Sequence, residues 1–324
     1  MAIVANTFTR YGAQGLRESL SDVIYDITPM ETPGVSAAGR MSVNQTLFEW
    51  QTDALGATDT GNAHLEGDDI ASYPAVVPTV RVGNYTQISR KLVIISGTLD
   101  KVNKAGRASE LAYQVSRRGR EMKRDMEAIL FENLGGDAGG TATARQTATL
   151  GAWLKSNVSL AGDGGDPVYT SGVPSAARTD GTQRALTETI FKAVPQSMWE
   201  NGANVDAVTA FCGPVNKQKI SAFSGVVTRN FDISNTPRPT AVIAAVDVYI
   251  SDFGAVRIMP NRFMRERDLY FFDPEYVSVA VLRPFGITEL AKTGDAEKRM
   301  LLQEWGIRVT QEAGLGAIFD LTTT

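Results

Sequence analysis

The chain of 324 residues contains one cysteine and one histidine, and each scarcity closes off a kind of chemistry. Cys212 has no partner for an intrachain disulfide, which fits a reducing compartment. It sits in an apolar run ahead of Gly213-Pro214, where a small buried hydrophobe is expected rather than a nucleophile. His64 alone excludes a histidine-rich zinc site, and its place in a stretch with nothing to hold it rigid argues against a Ser/His/Asp triad. No apolar run approaches the ~20 residues of a membrane span; the best, at 241–246, stops at Asp247. The start, MAIVANTFTR, lacks the basic segment and apolar core of a signal peptide. There is no long Lys/Arg block either. The formal net charge of −4 argues against tight binding of nucleic acid by phosphate neutralisation, so any contact with DNA is expected to be weak and independent of sequence.

What the chain does have is the material of a folded protein, 43% hydrophobic and 21% charged, enough for one large or two ordinary domains. Residues 42–53 (SVNQTLFEWQTD) and 79–95 (TVRVGNYTQISRKLVII) are rich in β-branched and aromatic types and predict two strands. The 25 residues between them are Gly-, Ala-, Asp- and Pro-rich and have almost nothing to bury. A two-stranded hairpin alone is marginal in water, and hairpin connections usually take about 2–5 residues. An arm of this kind makes sense if another chain supports it, which points to an assembling structural protein.

Before the arm, Leu16, Leu20, Val23, Ile24 and Ile27 recur at helical spacing up to Pro29. After it, residues 107–134 predict the strongest helix of the chain, with Ser109 as N-cap and Gly135-Gly136 at its close. Leu111, Val115, Gly119, Met122, Met126, Ile129 and Asn133 follow one face, and Arg117, Arg118, Arg120, Lys123 and Arg124 the other. Residues 135–182 read as a long irregular stretch pinned by Trp153. A helix from Thr187 to Asn201 with Pro195 inside is then followed by an α+β block. Its strands fall near 206–211, 241–251, 255–259, 268–273 and 276–282, with a short helix beginning at Pro214. Leu301, Trp305, Ile307 and Val309 alternate with Leu302, Glu304, Arg308 and Thr310 in a closing strand.

This α+β order of arm, long hairpin, long helix, loop, compact block and closing strands resembles the major capsid protein of tailed bacteriophages, the Hong Kong 97 phage-like capsid fold that encapsulins share. The residues that carry the likeness are 28–33 (TPMETP), 48–53 (FEWQTD), 83–89 (GNYTQIS), the helix 110–133, and in the tail 251–254 (SDFG), Leu282-Arg283-Pro284, 291–295 (AKTGD) and 303–306 (QEWG). The resemblance implies an N-terminal arm at 1–41, an E-loop at 42–95, a peripheral (P) domain at 96–185 and 298–324 whose spine is the long helix, and an inserted axial (A) domain at 186–297. It implies a structural, non-enzymatic head protein that assembles into an icosahedral or prolate shell around double-stranded DNA; an encapsulin-like cargo compartment is the alternative. The expected partners are copies of the chain in hexamers and pentamers, a separate scaffolding protein and a portal during assembly, with no membrane. The expected location is the virion, and the host cytoplasm during assembly. Some relatives weld their shells through an E-loop lysine, but the first lysine here is Lys91, beyond the tip.

The chemistry-bearing residues support no catalytic constellation, cofactor site or metal site. Glu66, Asp68 and Asp69 could be imagined around a divalent cation, but their spacing matches no EF-hand loop, so a solvated or partner-facing acidic patch is the expectation. Asp163-Gly164-Gly165-Asp166 receives the same reading, and GGDAGG at 135–140 lacks a Walker lysine. The basic helix face is interleaved with Glu121, Asp125 and Glu127, so it is expected to be solvated or to touch a subunit. The expected inter-subunit contacts are Trp50, Asp53, Glu66, Asp68 and Asp69 on the loop, against Arg117, Arg120, Lys123 and Arg124 on the helix.

Overall fold

The computed structural model describes residues 28–67, 73, 75–223 and 247–323. The amphipathic run from Leu16 to Ile27, Asp68, Asp69 and the apolar run at 241–246 lie outside them. Pro33 opens a single turn, α1 (Pro33–Ala37), at a position where its missing N–H is not needed. Strand β1 (Gly39–Ser42) follows, then β2 (Leu47–Thr52) and β3 (Val80–Tyr85), an antiparallel pair with Leu47 opposite Tyr85 and Thr52 opposite Val80. The strand expected at 79–95 is two strands. At the buried Thr86 the chain leaves β2, and β4 (Gln87–Ser96) joins a different sheet. The hairpin proper therefore occupies 47–85 of the 42–95 stretch, and its second half is sheet.

A short helix, α2 (Gly97–Lys101), leads to α3 (Glu110–Leu130). Ser109 Oγ accepts from the Ala112 amide, the N-cap the sequence predicted. The helix ends at Leu130, five residues before Gly135; its 21 residues give a rod of about 32 Å. Met122 packs with Leu111 and Val115 against Val93, Ile95 and Leu301 of the sheet beneath. Glu127, expected among the solvated charges, is fully buried. Residues 135–182 are more ordered than expected: α4 (Leu150–Trp153), β5 (Val158–Ser159), β6 (Val168–Thr170) and β7 (Val173–Ala176) gather around the buried Trp153.

The second half contains α5 (Glu188–Glu200), β8 (Thr209–Cys212), α6 (Pro214–Ser221), β9 (Val248–Ser251), β10 (Gly254–Pro260), β11 (Leu269–Phe272), β12 (Val277–Glu289), β13 (Ala296–Val309) and β14 (Gly316–Ile318). Thr187 caps α5 by accepting from the Ile190 amide at 3.4 Å, and Pro195 is buried within it. Two main sheets result. One runs β1-β12-β13-β4 under α3, the other β5-β14-β11-β8-β10-β9 against α5 and α6. β12 and β13 pair from Val277–Val309 to Glu289–Arg299, so the border expected at 297 falls within a hairpin of the first sheet. Leu301, Trp305, Ile307 and Val309 are all buried, as their alternation predicted. Glu304, on the alternate side, is buried too. Arg145, Arg283 and Thr86 converge on its carboxylate where the strand passes beneath the hairpin root. Cys212 is wholly enclosed, and burial pushes its thiol up to about 12, which makes it inert at neutral pH.

Candidate assembly surfaces: the hairpin loop and the long helix

The root of the hairpin is welded to the body. Trp50, expected at a subunit contact, is instead 9% exposed. Its indole N–H donates to the Thr310 carbonyl at 3.1 Å, and its ring lies 5.5 Å from that of Trp153 and 6.0 Å from that of Phe48. The FEWQTD alternation does put Phe48 and Trp50 on one face, but that face meets the chain's own core. Asn84, fully buried, donates to the carbonyls of Ala148 (3.0 Å) and Ile307 (2.6 Å) and accepts from the Ala148 amide. The Gly83 amide donates to the Gly172 carbonyl at 3.1 Å, and Gly172, at φ +80°, brings the β6–β7 turn so close that an added Cβ would strike the Arg81 carbonyl. Glu49 spends its charge on Arg81 at 2.7 Å.

Beyond Thr52 and Val80 the described residues of the loop have no such anchorage. Asp53 is exposed and caps its own turn by accepting from the Ala54 amide; Glu66 is exposed, and His64 reaches no further than the Asn62 side chain at 3.0 Å. Large apolar side chains are exposed here as well: Leu55 (99%), Leu65 (81%), Val76 (93%) and Val77 (82%). Sequence reading registered the poverty of this segment and passed over these four residues, although Leu and Val flanked by Gly, Ala and Pro could have marked them.

On α3 the basic residues are unequal. Arg117 and Arg118 both pair with Glu121, and their charge holds the Glu121 carboxyl low against a desolvation that acts to raise it. The Arg124 guanidinium lies 5.6 Å over the Phe263 ring within the chain. Lys123 donates to Ser36 Oγ at 3.4 Å, and Arg120 is exposed. Among the described residues, Asp53 and Glu66 of the loop tip form no salt bridge with the cations of the helix.

Other charged groups have structural tasks that their spacing did not reveal. Glu127 accepts from the amides of Gly34 (2.8 Å) and Val35 (2.7 Å) and from the Asn261 side chain (2.7 Å), tying arm, helix and β10–β11 connection together. Burial holds its carboxyl above the usual range. Arg178, buried, pairs with Asp268 at 2.6 Å and lies 3.7 Å from the Phe319 ring centre; burial pushes Asp268 up to about 6 despite Arg178 and Arg265. Asp163 caps the Thr182 amide at 2.8 Å. Among the described residues no group of three or more His, Cys, Asp or Glu could hold a metal ion, and no helix is long and apolar enough to cross a membrane.

The architecture is that of a shell subunit: a long helix on a four-stranded sheet, a second sheet beside it, and a rooted hairpin with an unsupported tip. It resembles the Cyanophage A-1(L) capsid asymmetric unit with a TM-score of 0.69 at 12% identity, over 98% of this chain and 100% of that one. The holo encapsulin complex of Synechococcus elongatus matches with a TM-score of 0.53 at 10% identity, over 95% and 94%. The class is therefore the Hong Kong 97-like capsid fold of phage shells. In sequence, the SU10 major capsid protein model matches residues 3–322, and the major capsid protein of Escherichia phage Phieco32 is 30% identical over 96% of each chain. The chain belongs to the SU10 major capsid protein family. It is a phage major capsid protein, a virion component that associates with copies of itself in a shell. Encapsulins share the fold, and the phage reading rests on the family and on the curated relative.

Proposed function

We propose that the subunit builds an icosahedral or prolate head from hexamers and pentamers in the host cytoplasm, guided by a separate scaffolding protein and closed around a portal, and that it carries no enzymatic activity. The observation that supports this most directly is the hairpin with its welded root and bare tip. A tip whose described residues include the exposed Leu55, Leu65, Val76 and Val77 and form no helix or strand gains stability by lying on another subunit. Head-to-tail contacts of this kind present different patches to successive neighbours and close into rings. Many modest contacts then hold the particle. In this reading, Asp53, Glu66, Asp68 and Asp69 of the tip face Arg117, Arg120, Lys123 and Arg124 of the neighbour's α3, where complementarity sets register more than affinity. DNA inside meets a wall of low net charge and is held weakly.

The test is electron microscopy of the purified protein, alone and coexpressed with its scaffolding protein. Closed hollow particles are expected. Tubes, sheets or a persistent monomer would remove the reading. Particles filled from their own host should protect double-stranded DNA from nuclease; a protein cargo in its place would move the assignment to an encapsulin-like compartment.

A further inference from the structure

Between α3 and β12 the structure holds a half-open cavity of about 400 Å³, lined by Val35, Met122, Met126, Val279 and Phe285, with Arg40 and Lys123 at its edge. Gly119 forms part of its wall, in the interior of α3. Glycine weakens a helix interior relative to alanine, and among the described residues nothing steric calls for it here. An added Cβ would come no nearer than 3.9 Å to Phe285 and 4.0 Å to Leu301, ordinary contact distances. The helix thus forgoes a side chain where one would fit, and the result is an apolar hollow open to solvent, with Phe285 48% exposed at its rim. Among the described residues, none of the hairpin tip lines it. Among the described residues neither Arg40 nor Lys123 forms a salt bridge.

We propose that this cavity receives Leu65 of a second copy of the chain, while Glu66 meets Arg40 and Lys123 at the edge. The inference rests on the shell reading above and names the seat of the loop tip. The tip offers complementary chemistry, since residues 45–80 contain six acids and no Lys or Arg. Among its exposed aliphatics Leu65 alone is followed directly by a carboxylate, whereas Asp53 near Leu55 is engaged by the Ala54 amide, and Val76 and Val77 have no adjacent acid. Leu65 also lies thirteen residues beyond Thr52, close to the middle of the tip, which lets it reach up to about 40 Å from the root. An aliphatic anchor in a pocket ringed by charges is the arrangement that concentrates binding energy at an interface.

Full-length variants test it, with assembly followed by light scattering and microscopy and folding by circular dichroism. Gly119→Ala should melt higher than the parent, because alanine is the better helix former at an unhindered interior position. Gly119→Leu fills the hollow from within and should remain folded while its assembly rate falls at least tenfold; Leu65→Asp should do the same. Leu65→Cys with Phe285→Cys should form disulfide-linked ladders longer than dimers in oxidised particles, and Leu55→Cys with Phe285→Cys should not. If Gly119→Leu assembles normally, or the Leu65 pair leaves intact particles unlinked, or Leu55 links in its place, the seat is elsewhere and the shell reading stands. If the parent chain itself forms no particle under any condition, both fall. Should Gly119→Leu misfold, the cysteine pairs decide alone.

Discussion

Glu127 is the residue on which three parts of the chain converge, since its carboxylate takes hydrogen bonds from the arm, through Gly34 and Val35, and from Asn261. Glu127→Ala leaves those buried donors unanswered and is expected to lower subunit stability by about 3 kcal/mol, measured by urea denaturation. Glu127→Gln should cost less, because an oxygen remains to accept. Asp268 gives a pH signature. Its folded pKa, pushed up to about 6 by burial, lies above the ordinary aspartate range, so the folded state binds the extra proton. The stability this group contributes is present in full below that range and is lost as pH rises toward about 6. Asp268→Asn should flatten that part of the urea midpoint against pH curve; an unchanged slope would mean that other carboxylates produce it. The helix cap at Ser109 could be read from sequence because cap and recipient are three residues apart. The burial of Glu127 could not, because its partners lie 92, 93 and 134 residues away.

At the scale of elements, the hairpin divides sharply into a root that belongs to the body and a tip that does not. Thr52 and Val80 face each other across the pair, so an Asn-Gly turn can close β2 to β3 directly in place of 53–79. That deletion should leave the melting temperature within about 4 °C, because none of the described tip residues belongs to the core, and should abolish assembly. Loss of the fold would instead show that the tip stabilises its own subunit. Strand composition at 79–95 was legible, and the break at Thr86 was not. Val, Tyr and Ile favour strand on either side of it, and what ends one pairing and starts the next is the position of β13 and its buried Glu304. Trp50 shows the same limit. Its period-two spacing with Phe48 identifies a face, and only the docking of β2 onto Trp153 and Thr310 decides that the face looks inward.

At the scale of the whole molecule, cohesion between subunits is expected to be noncovalent. Cys212 is buried, and Lys91, the first lysine, sits on β4 paired with Asp125 at 2.6 Å. Particles boiled in denaturant with reductant should run as one band near 34.9 kDa, and a ladder would reveal a cross-link that these residues do not provide. Exposed ion pairs contribute about 0–1 kcal/mol each, so no single charge on tip or helix should decide assembly. Their sum should make it slower at high salt, as screening lengths fall from about 8 Å at physiological ionic strength to about 3 Å at 1 M.

The sequence by itself determined the elements whose signals are local: the capped long helix, the capped helix at Thr187, the strands of the second half, and the bareness of the loop tip. Through its specific residue combinations it also pointed to the capsid class. Tertiary structure alone decided which charges are buried, where a strand changes partner, which face of the hairpin root is inside, and that Gly119 opens onto a hollow. The physical reason is range. A cap or an alternation is settled by residues within one or two turns, whereas burial and pairing depend on groups that lie 60 to 260 residues apart in the chain and meet only when it is folded.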